Sequence, residues 1–95
     1  MYIVASTDVE STMVDWLIAS DQVKGFSSIP ISGHGSGSTA LSIIEQVEGR
    51  RQQMLYLIRL PQTDMDAVLQ ALKQDLGHIG IEYWVVPVNA HGKII

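Results

Sequence analysis

The order of the periodic segments constrains the fold of this chain more than any other feature. Apolar residues that alternate within short β-prone runs predict strands, and apolar residues three or four positions apart predict amphipathic helices. The predicted strands are residues 2–6, 26–32, 52–60 and 81–88, and the predicted helices are residues 7–20 and 63–76. Their order predicts an α+β, ferredoxin-like βαββαβ fold, in which a four-stranded antiparallel sheet carries both helices on one face.

Local signals set the expected ends of the helices. Thr7 followed by Glu10 forms a capping box for the first helix, and Thr63 is the expected N-cap of the second. Gly77 is expected just beyond the second helix. The apolar stripes expected to face the core are Val9, Met13, Trp16 and Leu17 in the first helix and Met65, Val68, Leu69, Leu72 and Leu76 in the second.

Two prolines are consistent with this topology. The second and fourth strands form the edges of a βαββαβ sheet, and proline belongs on edges because it cannot donate a ladder hydrogen bond. Pro30 and Pro87 lie in those two predicted strands.

The third and fourth predicted strands are apolar on both faces. In the third, Met54, Tyr56, Ile58 and Leu60 share one face, and Leu55 and Leu57 lie on the other. Two helices cover only one face of such a sheet, and a large exposed apolar face is usually a contact surface. We therefore expect a homo-oligomer.

Composition bounds the class of protein. A chain of 95 residues suits a single domain, residues 1–95, and 46% hydrophobic residues are too many for a disordered chain. The net charge of −4 argues against a nucleic-acid partner, and the absence of cysteine excludes disulfides and thiolate metal sites. No segment resembles a signal peptide or a membrane span, so we expect a cytoplasmic protein that does not insert into the membrane.

The long connection between the second and third strands begins with the glycine-rich sequence GHGSG, residues 33–37. A dinucleotide-binding turn needs a different glycine spacing and a long following helix, and a Walker A loop ends in Gly-Lys-Ser/Thr, which is missing here. The glycines can instead form a mobile hairpin connection. Ser42 and Glu45 predict a short capped helix within it, with Gly49 as its stop.

Three histidines and two arginines are the candidate functional side chains. His34, His78 and His91 lie in three different predicted loops, where each is either a solvated residue or a ligand to a metal or an anion. Arg50 and Arg51 either bind an anion or keep an edge hairpin soluble.

The chain lacks the characteristic residues of three enzyme and binding classes known on this fold. The loop before the first helix lacks the arginine that acylphosphatases need, and the third strand offers only Tyr56 where RNA-recognition domains stack several aromatic residues. The Cys-x-x-Cys of heavy-metal-associated domains is absent as well. We therefore expect a protein that is not an enzyme.

The segments GFSSIPISGHGSGST, EQVEGRRQQMLYLIRLP and IEYWVVPV occur in an order that resembles the nitrogen-regulatory PII-like superfamily. The closest resemblance is to a small uncharacterised branch that is often encoded beside heavy-metal efflux pumps. The similarity extends over nearly the whole chain.

The resemblance implies a homotrimer with a ligand cleft at each subunit contact, formed by residues 32–38, residues 77–80 and residues 89–93 of a neighbour. The cleft residues that it implies are Gly33, His34, Gly35, His78, His91 and Lys93, and the three histidines are its candidate ligands for a divalent metal ion. It further implies that the connection acts like a T-loop and contacts a membrane transporter, with Ser36, Ser38, Glu45, Gln46, Arg50 and Arg51 as the partner residues.

The chain also departs from the PII pattern. Basic residues follow Gly-x-Gly in typical PII proteins, but Ser36, Gly37 and Ser38 stand here, and the loop before the last strand is reduced to GHIG without lysine. Two cationic phosphate contacts are therefore missing, which argues against ATP binding.

The expected function is a trimeric signalling or regulatory protein that controls a transporter, and the alternatives are a metal-buffering protein that uses the histidines or an assembly module without a ligand.

Overall fold

A computed structural model describes residues 1–35 and 51–95. Its elements are β1 (Tyr2–Ser6), a 3-10 turn (Thr7–Val9) that leads into α1 (Glu10–Ala19), β2 (Phe26–Gly33), β3 (Arg51–Ile58), α2 (Gln62–Leu76) and β4 (Glu82–Trp84). This is the predicted order of elements. The predicted helix with Ser42 and Glu45 lies outside the described residues, as do Ser36, Ser38, Gln46 and Arg50.

The four strands form one antiparallel sheet in the order β2-β3-β1-β4. The second and fourth strands are thus its edges, as predicted, and Pro30 lies in edge strand β2. The placement of Pro87 in a strand was wrong, because β4 ends at Trp84. Trp84 pairs with Tyr2, the first residue of β1, so the residues that follow Trp84 run past the end of the one described strand that neighbours β4.

The core lies between one face of the sheet and the two helices. Residues on this inner face alternate along β1 and β3, and Ile3 pairs with Tyr56 and Ala5 with Met54. The helices contribute the predicted stripes, of which Val9, Trp16 and Leu69 are only partly buried. The largest fully buried core side chains are Ile3, Met13, Leu17, Tyr56 and Val68. Burial of one stripe from each helix against the same face confirms the predicted two-layer arrangement.

Both predicted helix caps were wrong. The Ser6 hydroxyl accepts a hydrogen bond from the Asp8 backbone N–H at 3.2 Å, so Ser6 caps the 3-10 turn, and Thr7 lies inside it. At α2, the N-cap is Pro61 and Thr63 lies within the first turn. The Asp64 N–H already donates to the Pro61 carbonyl oxygen at 3.0 Å, so the helix begins before Thr63 can cap it.

The other face of the sheet, which we call the outer face, is not covered by the helices. The pairing register places on it an apolar group formed by Tyr2, Val4, Ile29, Leu55, Leu57 and Trp84. The Tyr2 and Trp84 rings meet edge-to-face, with centroids 5.6 Å apart. Trp84 is 44% exposed and Ile29 is 43% exposed. The sheet is therefore apolar on both faces, as the sequence predicts.

Candidate functional site

A polar cleft lies where the connection between β2 and β3 leaves the sheet. The last pair of the two strands is Gly33 opposite Arg51, and the chain continues from there into residues 36–50. The cleft has a volume of about 240 Å³ and is lined by Gly33, His34, Arg51, Gln53 and Glu82. It therefore combines a guanidinium, a carboxylate, an amide and an imidazole at the base of the connection.

The strand register explains why these side chains meet. Gln53 pairs with Ser6 on β1, and Glu82 begins β4 opposite Val4. Side chains alternate between the faces of a sheet, so Arg51, Gln53 and Glu82 all belong to the outer face. The apolar outer face thus ends in a charged cleft on the side of the connection.

Two glycines shape the start of the connection. A Cβ atom at Gly33 would overlap the side-chain amide oxygen of Gln53, so glycine there lets Gln53 lie across β2. Gly35 has a φ of +118°, a backbone conformation that residues with a Cβ rarely adopt. Gly35 therefore has a local structural role, whereas at Gly33 the overlap is with the flexible end of the Gln53 side chain.

The structure brings only part of the predicted site together. His34 lines the cleft, and the loop with His78 enters β4 at the same end of the sheet. His91 instead lines two cavities beside Met1 and Arg59 at the opposite end of the sheet, and Lys93 follows it in the exposed tail. Within one chain, His34 and His91 are thus at opposite ends.

The described residues contain no group of three or more histidine, aspartate or glutamate side chains that could hold a metal ion. The three-histidine metal site implied by the resemblance is not assembled by residues 1–35 and 51–95 of a single chain.

Sequence reasoning did not identify Gln53 and Glu82. Each lies on the outer face next to an apolar residue two positions on, Leu55 or Trp84, and that change from polar to apolar is the signal that could have found them. The signal becomes specific only when the register is known, because the register decides that Gln53 and Glu82 flank β1 at one end.

No helix among the described residues is long and apolar enough to cross a membrane.

Comparison with known proteins gives one family and two related structures. The model of the family described as "Protein of unknown function (DUF3240)" matches residues 1–95. A solved structure of a DUF3240 family protein from Shewanella baltica is 26% identical with a TM-score of 0.78, and the match covers 99% of this chain and 92% of that one. No curated protein matches the chain.

The second structure is that of a Thermus thermophilus protein proposed to be a PII-like signalling protein. It is 21% identical with a TM-score of 0.57, and the match covers 85% of this chain and 76% of that one. This likeness shows a shared PII-like fold.

Proposed function

This chain belongs to the DUF3240 family, and because it shares its fold with a protein proposed to be a PII-like signalling protein, we propose that it is a PII-like regulatory protein that works as a homotrimer. A ligand bound at the base of the β2–β3 connection would change the conformation of that connection. The connection would then bind or release a target protein.

The observation that carries the proposal is the apolar outer face, which neither α1 nor α2 covers. Val4 and Leu57 lie at its centre, and the partly exposed rings of Tyr2 and Trp84 lie beside them. Apolar faces of this kind are stabilised when another subunit removes them from water. A trimer in which three outer faces pack together would bury this group.

The tail after β4 supports the same assembly. Val85, Val86 and Val88 are 40%, 38% and 53% exposed, although their sequence predicts a strand. No described strand pairs with them, since β4 ends at Trp84, opposite the first residue of β1. A second subunit would supply such a partner, and it would also bring His91 and Lys93 of one chain near the cleft of another.

The cleft is the proposed ligand site and the switch. His34 and Arg51 stand at the two ends of the connection, so a ligand that contacts both restrains the segment between them. Ligand-dependent ordering of a loop is a common form of regulation. Candidate ligands are a divalent metal ion or a small anion, since the cleft offers both signs of charge, while ATP is disfavoured by the missing phosphate contacts.

The proposed target is a membrane transporter, and a heavy-metal efflux pump is the specific candidate. This part rests on the resemblance of the sequence to the branch encoded beside such pumps, and it implies a cytoplasmic location. Ser36, Ser38, Glu45, Gln46 and Arg50 of the connection would contact the transporter together with Arg51.

One observation favours metal buffering as a second function. His34 and Glu82 line the same cleft, and the His78 loop lies at the same end of the sheet. Imidazole and carboxylate groups are ligands for zinc, copper and nickel. A metal that binds here without any effect on a transporter would indicate a buffer rather than a regulator.

Light scattering tests the assembly. The wild-type protein is expected at three times the 10.4 kDa chain mass. Leu57→Lys places a charge in the outer face and is expected to give monomers, whereas the matched control Ile18→Lys changes a helix residue that is 69% exposed and leaves the mass unchanged. A monomeric wild-type protein would refute the trimer and the shared cleft.

Thermal unfolding with zinc, copper, nickel, cobalt and adenine nucleotides tests the ligand site. A ligand at 100 times its Kd stabilises the folded state by about 2.7 kcal/mol. We expect one metal to raise the Tm and His34→Ala to abolish the rise, with Gln70→Ala on the exposed side of α2 as the control. No stabilisation by any of these compounds would rule out a metal-dependent regulator and a metal buffer.

A further inference from the structure

A small pocket lies between α2 and the edge strand β4, on the side of the sheet that carries the helices. It has a volume of about 140 Å³, and the side chains that line it are Leu69, Leu72, Lys73, Leu76, Ile81 and Tyr83. Gly77 lines it through its backbone alone. None of these side chains belongs to the outer face, to the tail after β4 or to the cleft at His34. The pocket is therefore a different site from the proposed subunit contact and its cleft.

The spacing of residues in α2 builds one wall of the pocket. Leu69, Leu72, Lys73 and Leu76 are three or four positions apart, so they share one face of the helix. Leu72 and Leu76 are buried in the core, whereas Lys73 is exposed. The pocket is thus apolar at its base and cationic at its opening.

Tyr83 forms the opposite wall. It pairs with Ile3, whose side chain lies in the core, so the Tyr83 ring lies on the same side of the sheet as α2. The ring is partly exposed because β4 is an edge strand. The Lys73 ammonium lies 5.6 Å from the ring centroid, and this cation–π contact holds the charge beside the opening.

Lys73 is the one charged side chain that lines the pocket among residues 1–35 and 51–95. Three and four positions from it, the chain has only uncharged residues, which are Leu69, Gln70, Leu76 and Gly77. No carboxylate of α2 is therefore placed to pair with Lys73 along the helix. An ammonium has three N–H donors, so an anion at the opening would gain a charge-assisted hydrogen bond.

The volume of the pocket suits a single aromatic ring. Cavities of about 150 Å³ that are lined by leucine, isoleucine and phenylalanine bind benzene, and this pocket has a similar size and a similar lining. A ring inside it would contact the leucine side chains of α2 and the edge or face of the Tyr83 ring, which is the arrangement that aromatic pairs prefer.

We propose that this pocket binds a small aromatic carboxylate, with its ring between the α2 leucines and Tyr83 and its carboxylate at the Lys73 ammonium. Small-molecule sites combine apolar walls with a few polar groups that fix the orientation of the ligand, and Lys73 is that group here. The proposed trimer contact lies on the outer face, so the pocket and the contact occupy opposite sides of the sheet.

An NMR titration of the full chain tests the proposal. Benzoate is the probe, benzyl alcohol has the ring without the charge, acetate has the charge without the ring, and 2-naphthoate adds a second ring. We expect benzoate to shift the amide signals of residues 72–77 and 81–83 with a Kd of about 1 mM or tighter. Benzyl alcohol should bind about fivefold more weakly, and acetate and 2-naphthoate at least about tenfold more weakly.

Two variants assign the charge. Lys73→Gln should weaken benzoate binding about fivefold and leave benzyl alcohol binding unchanged, because only the carboxylate uses the ammonium. Lys24→Gln is the matched control, since it removes the same charge at an exposed position between α1 and β2. Circular dichroism of each variant verifies the fold.

Three results would overturn the proposal. The first is that 10 mM benzoate, about ten times the expected Kd, leaves the signals of residues 72–77 and 81–83 in place. The second is equal weakening of benzoate binding in Lys73→Gln and Lys24→Gln, which would indicate a general charge effect. The third is that acetate or 2-naphthoate binds as tightly as benzoate, since a pocket for one ring distinguishes both from benzoate.

Discussion

Tyr56→Phe is expected to stabilise the protein. Tyr56 is fully buried at the centre of β3, and its ring centroid is 6.4 Å from that of Phe26 in a tilted arrangement. Its hydroxyl has no hydrogen-bond partner among the described residues. The ring thus contributes to the core, whereas the hydroxyl is desolvated without compensation.

The size of the effect follows from these two contributions. A buried polar group without a partner costs about 1–3 kcal/mol. Phenylalanine keeps the ring, and the lost oxygen gives up only a few contacts of about 0.1–0.2 kcal/mol each. The expected net gain is about 1 kcal/mol, which corresponds to a rise in Tm of about 4–8 °C for a domain of this size.

The dependence on pH provides a second measurement of the same feature. Burial raises the pKa of Tyr56 above the usual 10.0, and the negative charge of Glu10 adds to the rise. Unfolded Tyr56 therefore ionises at a pH where the folded residue still holds its proton, so wild-type stability is lost as the pH rises through 10. Tyr56→Phe removes this loss, and its advantage should grow above pH 10.

Urea unfolding at neutral pH and between pH 9 and 11 measures both effects, with Tyr83→Phe as the control. Tyr83 is 39% exposed, so its substitution should change the free energy of unfolding by less than about 0.5 kcal/mol. A loss of more than about 1 kcal/mol in Tyr56→Phe would show that the hydroxyl has a stabilising partner. An advantage that does not grow above pH 10 would contradict the assigned cause of the pKa rise.

Three further substitutions test the packing and the backbone, each by urea unfolding. Leu17→Ala should cost about 2–5 kcal/mol because the side chain is fully buried, whereas Ile18→Ala, at an exposed position, should be nearly neutral. Trp16→Phe should cost about 0.5–1.5 kcal/mol because it removes the 2.8 Å hydrogen bond from Trp16 Nε1 to Asp75 Oδ2, which joins the two helices. In an Asp75→Ala background the same substitution should cost less. Gly80→Ala should cost about 1–2 kcal/mol because Gly80 has a φ of +78°, and an effect near zero would refute the strain.

The fold could be predicted because its signals are local. The alternation in residues 52–60 and the helical stripe from Met65 to Leu76 each depend on neighbours along the chain, and the order of the elements then left few topologies. The helix caps were wrong for a reason that is also local. Ser6 and Pro61 each begin their helical segments before the predicted threonines.

The length of β4 depends on a residue far away in sequence. Residues 85–88 have the composition of a strand, but the ladder between β1 and β4 ends at the pair of Tyr2 and Trp84. A strand needs a partner as well as a propensity, and the presence of that partner is not encoded in the segment itself.

The residues of the candidate sites also fall into two groups, those that the sequence predicts and those that depend on contacts between distant strands. The sequence alone determined that the chain forms two strand–helix units with a glycine-rich connection, and that Gly33 and His34 stand at its base. Only the tertiary structure decided that Gln53 and Glu82 line a cleft with His34 and that His91 lies at the other end of the sheet, where it lines the same cavities as Arg59. Periodicity records which face a residue occupies, but the pairing register, which is set by contacts between distant strands, decides which polar residues on that face become neighbours.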